Sequence, residues 1–205
     1  MPEITPDRVR QNRWPVTDND LVRRIWVVGT SGSGKSTLAA VICERLGVPW
    51  IQLDALFHQP DWTPLPKPEF RAAVATMIAG DAWVVDGNYT GTLDDLVLDR
   101  ADTVVSLELP RRTVMRQVVW RTARRVVTRE ELWNGNRERL RNIFSLDRER
   151  SIILWAWTSH GEAQRRVVAA RAEPKYRGIQ FVRLGSRRQV DEFVANLATS
   201  ASDRD

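Results

Sequence analysis

The segment between Gly29 and Thr37 combines glycines, hydroxyls and a lysine at a spacing that suits the binding of phosphate groups. Its glycines allow the backbone to wrap so that successive N–H groups point inward at an anion. The ammonium of Lys35 would reach the β- and γ-phosphates of a nucleoside triphosphate, and the Ser36 hydroxyl would ligate Mg²⁺. We therefore predict that the nucleotide contacts Gly29, Ser31, Gly32, Ser33, Gly34, Lys35, Ser36 and Thr37.

The elements around this loop favour the same interpretation. From Gly29 to Ser36 the sequence fits the P-loop pattern G-x-x-x-x-G-K-[ST] without a mismatch. A β-type run over 24–28 precedes the loop, and a helical pattern over 35–46 follows it and ends at Gly47. The N-terminus of that helix would add its dipole and its unpaired N–H donors. The pattern predicts binding of ATP or GTP and does not choose between the two bases.

Two aspartates each follow a predicted strand, and ligands of open α/β sheets bind beyond the carboxyl ends of the strands. Asp86 follows the apolar run 82–85 and would hold Mg²⁺, directly or through water, together with Ser36. Its alternative is a plain Asp-Gly turn. Asp54 follows the run 50–53 and would orient or deprotonate an acceptor hydroxyl, or bind the acceptor. For Asp54, a helix cap or turn residue is an equally open alternative.

Arginine is concentrated between residues 111 and 150, where there are twelve arginines and no lysine. Five of them recur near helical spacing and are predicted to share one face of a helix: Arg112, Arg116, Arg121, Arg125 and Arg129. The last three would stabilise the charge on a transferring phosphoryl group, because guanidinium groups fit phosphate oxygens bidentately. The polar stretch of about 128–147 is predicted to be a mobile flap that excludes water. A solvated helical face is the alternative.

Short β-type runs alternate with helical patterns along the rest of the chain, which is typical of a parallel sheet flanked by helices. Five strands are predicted, at 24–28, 50–53, 82–85, 103–107 and 179–182. Helices are predicted at 35–46, 70–78, 92–98 and 148–172, with two more that begin near 110 and 186. We expect one domain over residues 1–205, with residues 1–20 as a loosely ordered extension.

These motifs resemble those of the small bacterial P-loop kinases, above all the adenylate-kinase-like group called topology-modulation proteins. The likeness covers roughly residues 22–197 and is carried by the P-loop, Asp54 with Trp62, Val-Val-Asp86-Gly-Asn-Tyr89, Ala101-Asp102 and Glu-Leu-Trp133-Asn-Gly-Asn. It implies a three-layer P-loop NTPase fold with an acceptor region after the second strand and an arginine-rich lid. It also implies that the adenine lies near Ser186 and Arg187.

The bulk composition restricts the function further. No segment of the 205 residues approaches the ~18 consecutive apolar residues of a membrane span, and Cys43 is the only cysteine, so we expect a cytoplasmic protein. The leading hypothesis is a kinase that transfers phosphoryl groups from ATP with Mg²⁺ to a nucleotide or other small acceptor. The net charge of +5 motivates an alternative, a nucleotide-dependent regulatory or nucleic-acid-binding protein with slow or incidental ATP hydrolysis. A monomer and a homodimer are both compatible with the sequence.

Overall fold

Five parallel strands form a single sheet in the order β2-β3-β1-β4-β5. The computed structural model describes residues 23–128, 131–136 and 161–202. The strands are β1 (Arg24–Gly29), β2 (Trp50–Gln52), β3 (Trp83–Asp86), β4 (Thr103–Leu107) and β5 (Gln180–Leu184). The predicted five-stranded parallel sheet is therefore confirmed, and the strand that precedes the P-loop is its centre.

The helices follow the predicted alternation with the strands. They are α1 (Lys35–Leu46), α2 (Leu53–Phe57), α3 (Lys67–Met77), α4 (Thr90–Leu93), α5 (Arg111–Thr128), α6 (Glu162–Ala172) and α7 (Arg187–Ser202). Short 3₁₀ turns lie at Pro60–Trp62, Leu98–Arg100, Trp133–Gly135 and Pro174–Tyr176. Gly47 ends α1 in the left-handed conformation, with its N–H bonded to the Cys43 carbonyl. None of the described helices combines the length and apolar character needed to cross a bilayer.

Helices cover both faces of the sheet, because alternate residues of each strand point to opposite sides. On one face, Trp26 of β1 shares a core cluster with Phe70 of α3. On the other face, Ile25 shares a cluster with Leu38 of α1 and Phe193 of α7. Burial on both sides explains why the strands are almost continuously apolar. The result is the predicted three-layer α/β fold, with the P-loop at the carboxyl end of the central strand.

Two elements differ from the sequence prediction. The strand predicted over 50–53 ends at Gln52, and Leu53 begins the one-turn helix α2. Leu53 is fully buried beneath the backbone of Gly87, so its apolar character reflects this packing and not a longer strand. The helix predicted over 92–98 is interrupted after α4, because Asp94 has a positive φ of 50° and its carboxylate pairs with Arg71.

Several predicted features lie outside the described residues. They are the extension over residues 1–20, the first part of the helix predicted over 148–172, and all of the predicted flap except Thr128 and residues 131–136. The arginine-rich lid therefore stays a prediction.

Replacing Trp83 tests the central packing of the sheet. Its side chain is fully buried in β3, between β1 and β2. We expect Trp83→Ala to lower the free energy of unfolding by about 3–5 kcal/mol, because truncation leaves a large cavity. Urea denaturation measures this change. The matched control Met77→Ala, at a side chain that is 49% exposed, should change the free energy by less than about 1 kcal/mol. Equal losses in the two variants would contradict this account of the core.

Candidate active site

The loop between β1 and α1 is shaped by two glycines in the left-handed conformation. Gly32 has a φ of 79° and Gly34 a φ of 95°, and the N–H of Ser33 donates to the Thr30 carbonyl at 3.0 Å. A Cβ atom added at Gly32 would lie 2.2 Å from Cγ2 of Val118 on α5. Position 32 therefore accepts only glycine, both for its backbone angle and for the close approach of α5.

The loop leads into the N-terminus of α1, where no acidic side chain of the first turn competes with a bound anion for the backbone N–H groups. Gly34 is the N-cap and has no side chain to bond the first N–H groups, and the first turn contains no acidic residue. Ser36 and Thr37, in that turn, are exposed. A twelve-residue helix with open N–H donors and a positive dipole end suits a phosphate group. The predicted nucleotide-binding residues are thus contiguous around one concave turn.

Lys35 introduces a poorly solvated positive charge into this turn. Its Nζ donates to the Thr30 carbonyl at 3.3 Å. Burial lowers the pKa of Lys35, whereas the carboxylates of Asp86 and Asp54 raise it and the guanidinium of Arg121 lowers it again. The ammonium of Lys35 therefore interacts with three of the charged groups that the sequence analysis assigned to phosphoryl transfer, which are Asp86, Asp54 and Arg121.

Asp86 ends β3 next to the phosphate loop and is almost entirely buried, at 5% exposure. Desolvation raises the pKa of its carboxyl, while the charge of Lys35 and a hydrogen bond from Ser36 oppose that rise. Its Oδ1 is buried and has no hydrogen-bond partner among the described residues. An orphaned carboxylate oxygen beside a serine hydroxyl fits Mg²⁺, which prefers oxygen ligands and is usually held by one or two carboxylates plus phosphates and water.

Within the described ranges, no group of three or more histidine, cysteine or acidic side chains could hold a metal ion by itself. A cation between Ser36 and Asp86 would therefore depend on phosphate and water oxygens for its remaining ligands. That dependence is the usual situation for Mg²⁺ bound together with a nucleotide.

Asn88 bonds the base of the phosphate loop through its carboxamide, a contact that the sequence analysis did not predict. The N–H of Gly29 donates to its Oδ1 at 3.2 Å, and its Nδ2 donates to the Gly29 carbonyl. One residue earlier, the Gly87 carbonyl accepts from the indole Nε1 of Trp26 at 2.9 Å. The chain that follows β3 is thereby fixed against β1.

Asp54 lies in the first turn of α2, and its carboxylate belongs to a chain of polar side chains. The Tyr89 hydroxyl donates to Oδ1 of Asp54 at 2.6 Å, and Nε2 of His58 lies 3.3 Å from the same hydroxyl. Desolvation and the Asp54 carboxylate raise the pKa of Tyr89. Desolvation lowers the pKa of His58, and Asp54 partly opposes this. A lone histidine carries no spacing signal, so the sequence analysis did not identify His58 as a candidate site residue.

The described part of the predicted flap, residues 131–136, is bound to the acceptor side of the site. Nδ2 of Asn134 donates to the Ala55 carbonyl at 3.0 Å and to the His58 carbonyl at 2.6 Å. Oδ1 of Asn136 accepts from the Trp62 N–H at 2.8 Å. These contacts bring the ring of Trp133 to 6.0 Å from that of His58 at an interplanar angle of 20°. This short segment is therefore anchored, in contrast to the expectation of a mobile flap.

Among the predicted catalytic arginines, Arg121 lies against the phosphate loop. Its Nη2 donates to the Ser31 hydroxyl at 3.4 Å, and Arg125 lies half-buried one turn further along α5. Arg112 and Arg116 are exposed, because the five-residue step from 116 to 121 turns a helix by about 140°. Their predicted place on the same face is wrong.

The remaining predicted site residues are Arg129 and Arg187. Arg129 lies outside the described residues. Arg187 is the first residue of α7 and is exposed. A capping box begins α7. The Gln189 N–H donates to the Ser186 hydroxyl at 3.2 Å, and the Gln189 side chain accepts from the Gly185 N–H at 2.7 Å.

Two further acids near the strand ends bond the scaffold. Asp102 accepts from the N–H groups of Arg23 and Arg24 at the start of β1. Glu108 accepts from Ser106, from Gln164 of α6 and from Arg183 of β5. Both carboxylates therefore join neighbouring elements of the scaffold.

Comparison with known proteins gives similarity of fold only. Searches of protein-family profiles and of curated sequences found no match to the chain. Similar solved structures include a gluconokinase from Sinorhizobium meliloti, with 18% identity, a TM-score of 0.48 and coverage of 89% of this chain and 93% of that one. A sugar kinase from a Janibacter species has 16% identity, a TM-score of 0.48 and coverage of 88% and 95%. A shikimate kinase from Acinetobacter baumannii has 15% identity, a TM-score of 0.48 and coverage of 89% and 95%. Such values carry no information on what this chain binds or phosphorylates.

Substituting the loop glycine tests the tight approach of α5. We expect Gly32→Ala to lower the free energy of unfolding by about 2 kcal/mol or more, because the new Cβ both strains a left-handed residue and collides with Val118. Chemical denaturation followed by tryptophan fluorescence measures the loss. Gly91→Ala is the control, since a Cβ there meets nothing within 4 Å and Gly91 does not have a left-handed φ. If both variants unfold like the wild type, the loop does not have this conformation in solution.

Proposed function

We propose that this protein is a kinase that transfers the γ-phosphoryl group of ATP, with Mg²⁺, to a hydroxyl or phosphate group of a small molecule bound beside Asp54. The observation that carries the proposal is the convergence of Asp86, Asp54 and Arg121 on the half-buried ammonium of Lys35. Positive and negative groups arranged in this way match a reaction in which charge moves between phosphate oxygens, and positioning plus electrostatics supply most of the catalysis of such reactions.

The nucleotide would bind through its phosphates. The N–H groups of the loop and of the first turn of α1 would bind the phosphate oxygens, and Lys35 would reach the β- and γ-phosphates. Thr37 would contact the α-phosphate. The base would lie near Ser186 and Arg187, beyond β5.

Mg²⁺ would be held by Ser36 and Asp86, whose buried and unpaired Oδ1 supports this assignment. When bound, the ion would neutralise charge on the β- and γ-phosphates. The protein must then hold the carboxylate of Asp86 in a fixed position. Asp86 is paired in register with Val27 of β1, so the carboxylate is fixed directly beside the strand that leads into the phosphate loop.

The acceptor would bind on the α2 side of the site. Asp54 would orient an acceptor hydroxyl and take its proton as the oxygen attacks the γ-phosphorus. The bond from the γ-phosphorus to the bridging oxygen would break, and its electron pair would leave with ADP. Arg121, assisted by Arg125 and by Arg129 of the lid, would stabilise the charge on the transferring group. The predicted lid, about 128–147, would exclude water from the transferring group.

Loss of the loop ammonium tests nucleotide binding. We expect millimolar Mg–ATP to raise the thermal unfolding temperature of the wild type by several degrees, because a ligand of the native state stabilises it. In Lys35→Ala this shift should disappear, and in Lys67→Ala, which removes an exposed lysine of α3, it should persist. Calorimetric titration measures the same difference directly. Absence of Mg–nucleotide uptake by folded wild-type protein would rule out the proposal.

Removal of Arg121 tests its role in transfer. Labelled ATP and Mg²⁺ are incubated with a panel of nucleosides, nucleoside monophosphates, sugars and other hydroxyl-bearing metabolites to identify an acceptor. With that acceptor, we expect Arg121→Ala to reduce kcat about a hundredfold or more, because the transition state loses a charge-stabilising donor. Arg116→Ala on the exposed side of the same helix should retain nearly full activity. Equal activities of the two variants would remove Arg121 from the mechanism.

A further inference from the structure

We infer that Tyr89 and His58 are positioning residues for Asp54. A directed hydrogen-bond chain that runs from His58 through Tyr89 occupies one carboxylate oxygen of Asp54 and leaves the other for the acceptor hydroxyl. This inference rests on the proposed function for its catalytic meaning. The chain itself is a property of the folded protein and exists whether or not transfer occurs.

The direction of the first link follows from the chemistry of a carboxylate. An ionised carboxylate has no proton to donate, so the 2.6 Å contact between the Tyr89 hydroxyl and Oδ1 of Asp54 carries the phenolic proton. The phenol keeps that proton at neutral pH because desolvation and the Asp54 charge raise the pKa of Tyr89. The hydroxyl oxygen of Tyr89 can then act only as an acceptor toward any further partner.

The second link fixes the tautomer of the histidine. Nε2 of His58 lies 3.3 Å from the Tyr89 hydroxyl, whose proton is already directed at Asp54. Nε2 must therefore carry the N–H, and in a neutral imidazole Nδ1 then carries the lone pair. The complete chain is Nε2–H of His58 to Oη of Tyr89, and Oη–H of Tyr89 to Oδ1 of Asp54.

The surroundings of His58 disfavour the charged imidazolium. The rings of Phe57, Trp62 and Trp133 lie 5.2, 5.3 and 6.0 Å from its ring, measured between centroids. Desolvation by this environment lowers the pKa of His58, and the Asp54 carboxylate opposes the effect only in part. The imidazole of His58 therefore contacts Tyr89 as a neutral ring with a single N–H at physiological pH.

The backbone and the neighbouring rings hold both residues in place. The N–H of His58 donates to the Asp54 carbonyl at 3.0 Å, and its carbonyl accepts from Asn134 at 2.6 Å. The ring of Tyr89 packs against Phe57 and Phe70 at centroid distances of 4.8 and 5.2 Å. The backbone of His58 is thus fixed beside Asp54, and neither ring can turn away from the hydrogen-bond chain without losing its contacts with the neighbouring rings, as a positioning role requires.

The arrangement divides the two oxygens of Asp54 between two tasks. Among the described residues, Oδ1 bonds Tyr89, and no side chain is bonded to Oδ2. During transfer the acceptor proton would pass to Oδ2, the acceptor oxygen would bond the γ-phosphorus, and ADP would leave with the electron pair of the broken bond. The Tyr89 bond to Oδ1 persists through this step and keeps Oδ2 aimed at the hydroxyl.

A nitrogen-15 NMR spectrum of the imidazole groups tests the chain in the intact protein without any substrate. The sequence contains two histidines, His58 and His160, and the signals of His58 are those lost in His58→Gln. We expect the neutral tautomer protonated at Nε2 at pH 7. A neutral ring protonated at Nδ1, or an imidazolium at pH 7, would overturn the inference. This readout is independent of kinase activity, so its failure is distinct from failure of the proposed function.

Three variants then separate hydrogen bonding from packing. Tyr89→Phe keeps the ring and removes the hydroxyl, and we expect kcat to fall about ten- to hundredfold with the affinity for Mg–ATP unchanged. His58→Gln places an amide N–H near the position of Nε2 and should stay within about threefold of the wild-type kcat. His58→Phe keeps an aromatic ring without a donor and should lose about tenfold.

The outcomes of this series are decisive in either direction. Equal kcat values for His58→Phe and the wild type would show that the ring alone matters and would refute the donor role. Equal losses in His58→Gln and His58→Phe would refute it as well. Calorimetric titration with Mg–ATP on each variant confirms that the nucleotide site is intact, because none of these residues contacts the phosphate loop.

Discussion

The half-buried ammonium of Lys35 is the constraint around which the candidate site is arranged. Removing a charge from water is costly unless opposite charges and hydrogen-bond acceptors replace the lost solvation. Here the Thr30 carbonyl accepts from Nζ, and the carboxylates of Asp86 and Asp54 supply negative charge. Because parallel strands end at the same edge of a sheet, the segments after β2 and β3 can bring both acids to the loop that follows β1. The strand order thus explains why two carboxylates lie near the ammonium of Lys35.

Four consecutive residues, from the last residue of β3 onward, connect the parts of the site. Asp86 faces Lys35 and Ser36, the Gly87 carbonyl accepts from the indole of Trp26, Asn88 bonds both backbone groups of Gly29, and Tyr89 bonds Asp54. The nucleotide side and the acceptor side therefore share one short piece of backbone. A shift at the end of β3 would move Asp86, which is the proposed metal ligand, together with the base of the loop between β1 and α1 and with the carboxylate of Asp54. The two halves of the candidate site therefore cannot be displaced independently.

The sequence predicted the features whose signal is local. The P-loop and the strands around it are contiguous patterns, and the position of Asp86 follows from strand ends meeting at one edge. Asn88, Tyr89 and His58 were not predicted as site residues, because their roles depend on contacts across 31 to 59 residues of chain. Asn88 contacts Gly29, Tyr89 contacts Asp54, and His58 contacts Tyr89. No periodicity marks such pairs. The anchoring of 131–136 was missed for the same reason, since polar composition alone suggests mobility although its asparagines bond Ala55, His58 and Gln59.

Desolvation acts on the two central charges in opposite directions, and this explains why a metal–nucleotide complex suits the site better than either ion alone. It lowers the pKa of Lys35 and raises the pKa of Asp86, so each group is biased toward its neutral form. A phosphate group beside Lys35 would favour the ammonium, and a cation beside Asp86 would favour the carboxylate. A triphosphate without a bound cation would favour the ammonium of Lys35, but it would also repel the carboxylate of Asp86. Only a ligand that brings an anion and a cation together would favour the charged forms of both groups. The loop lies where the phosphates would bind, and Ser36 and the unpaired oxygen of Asp86 lie where the cation would bind.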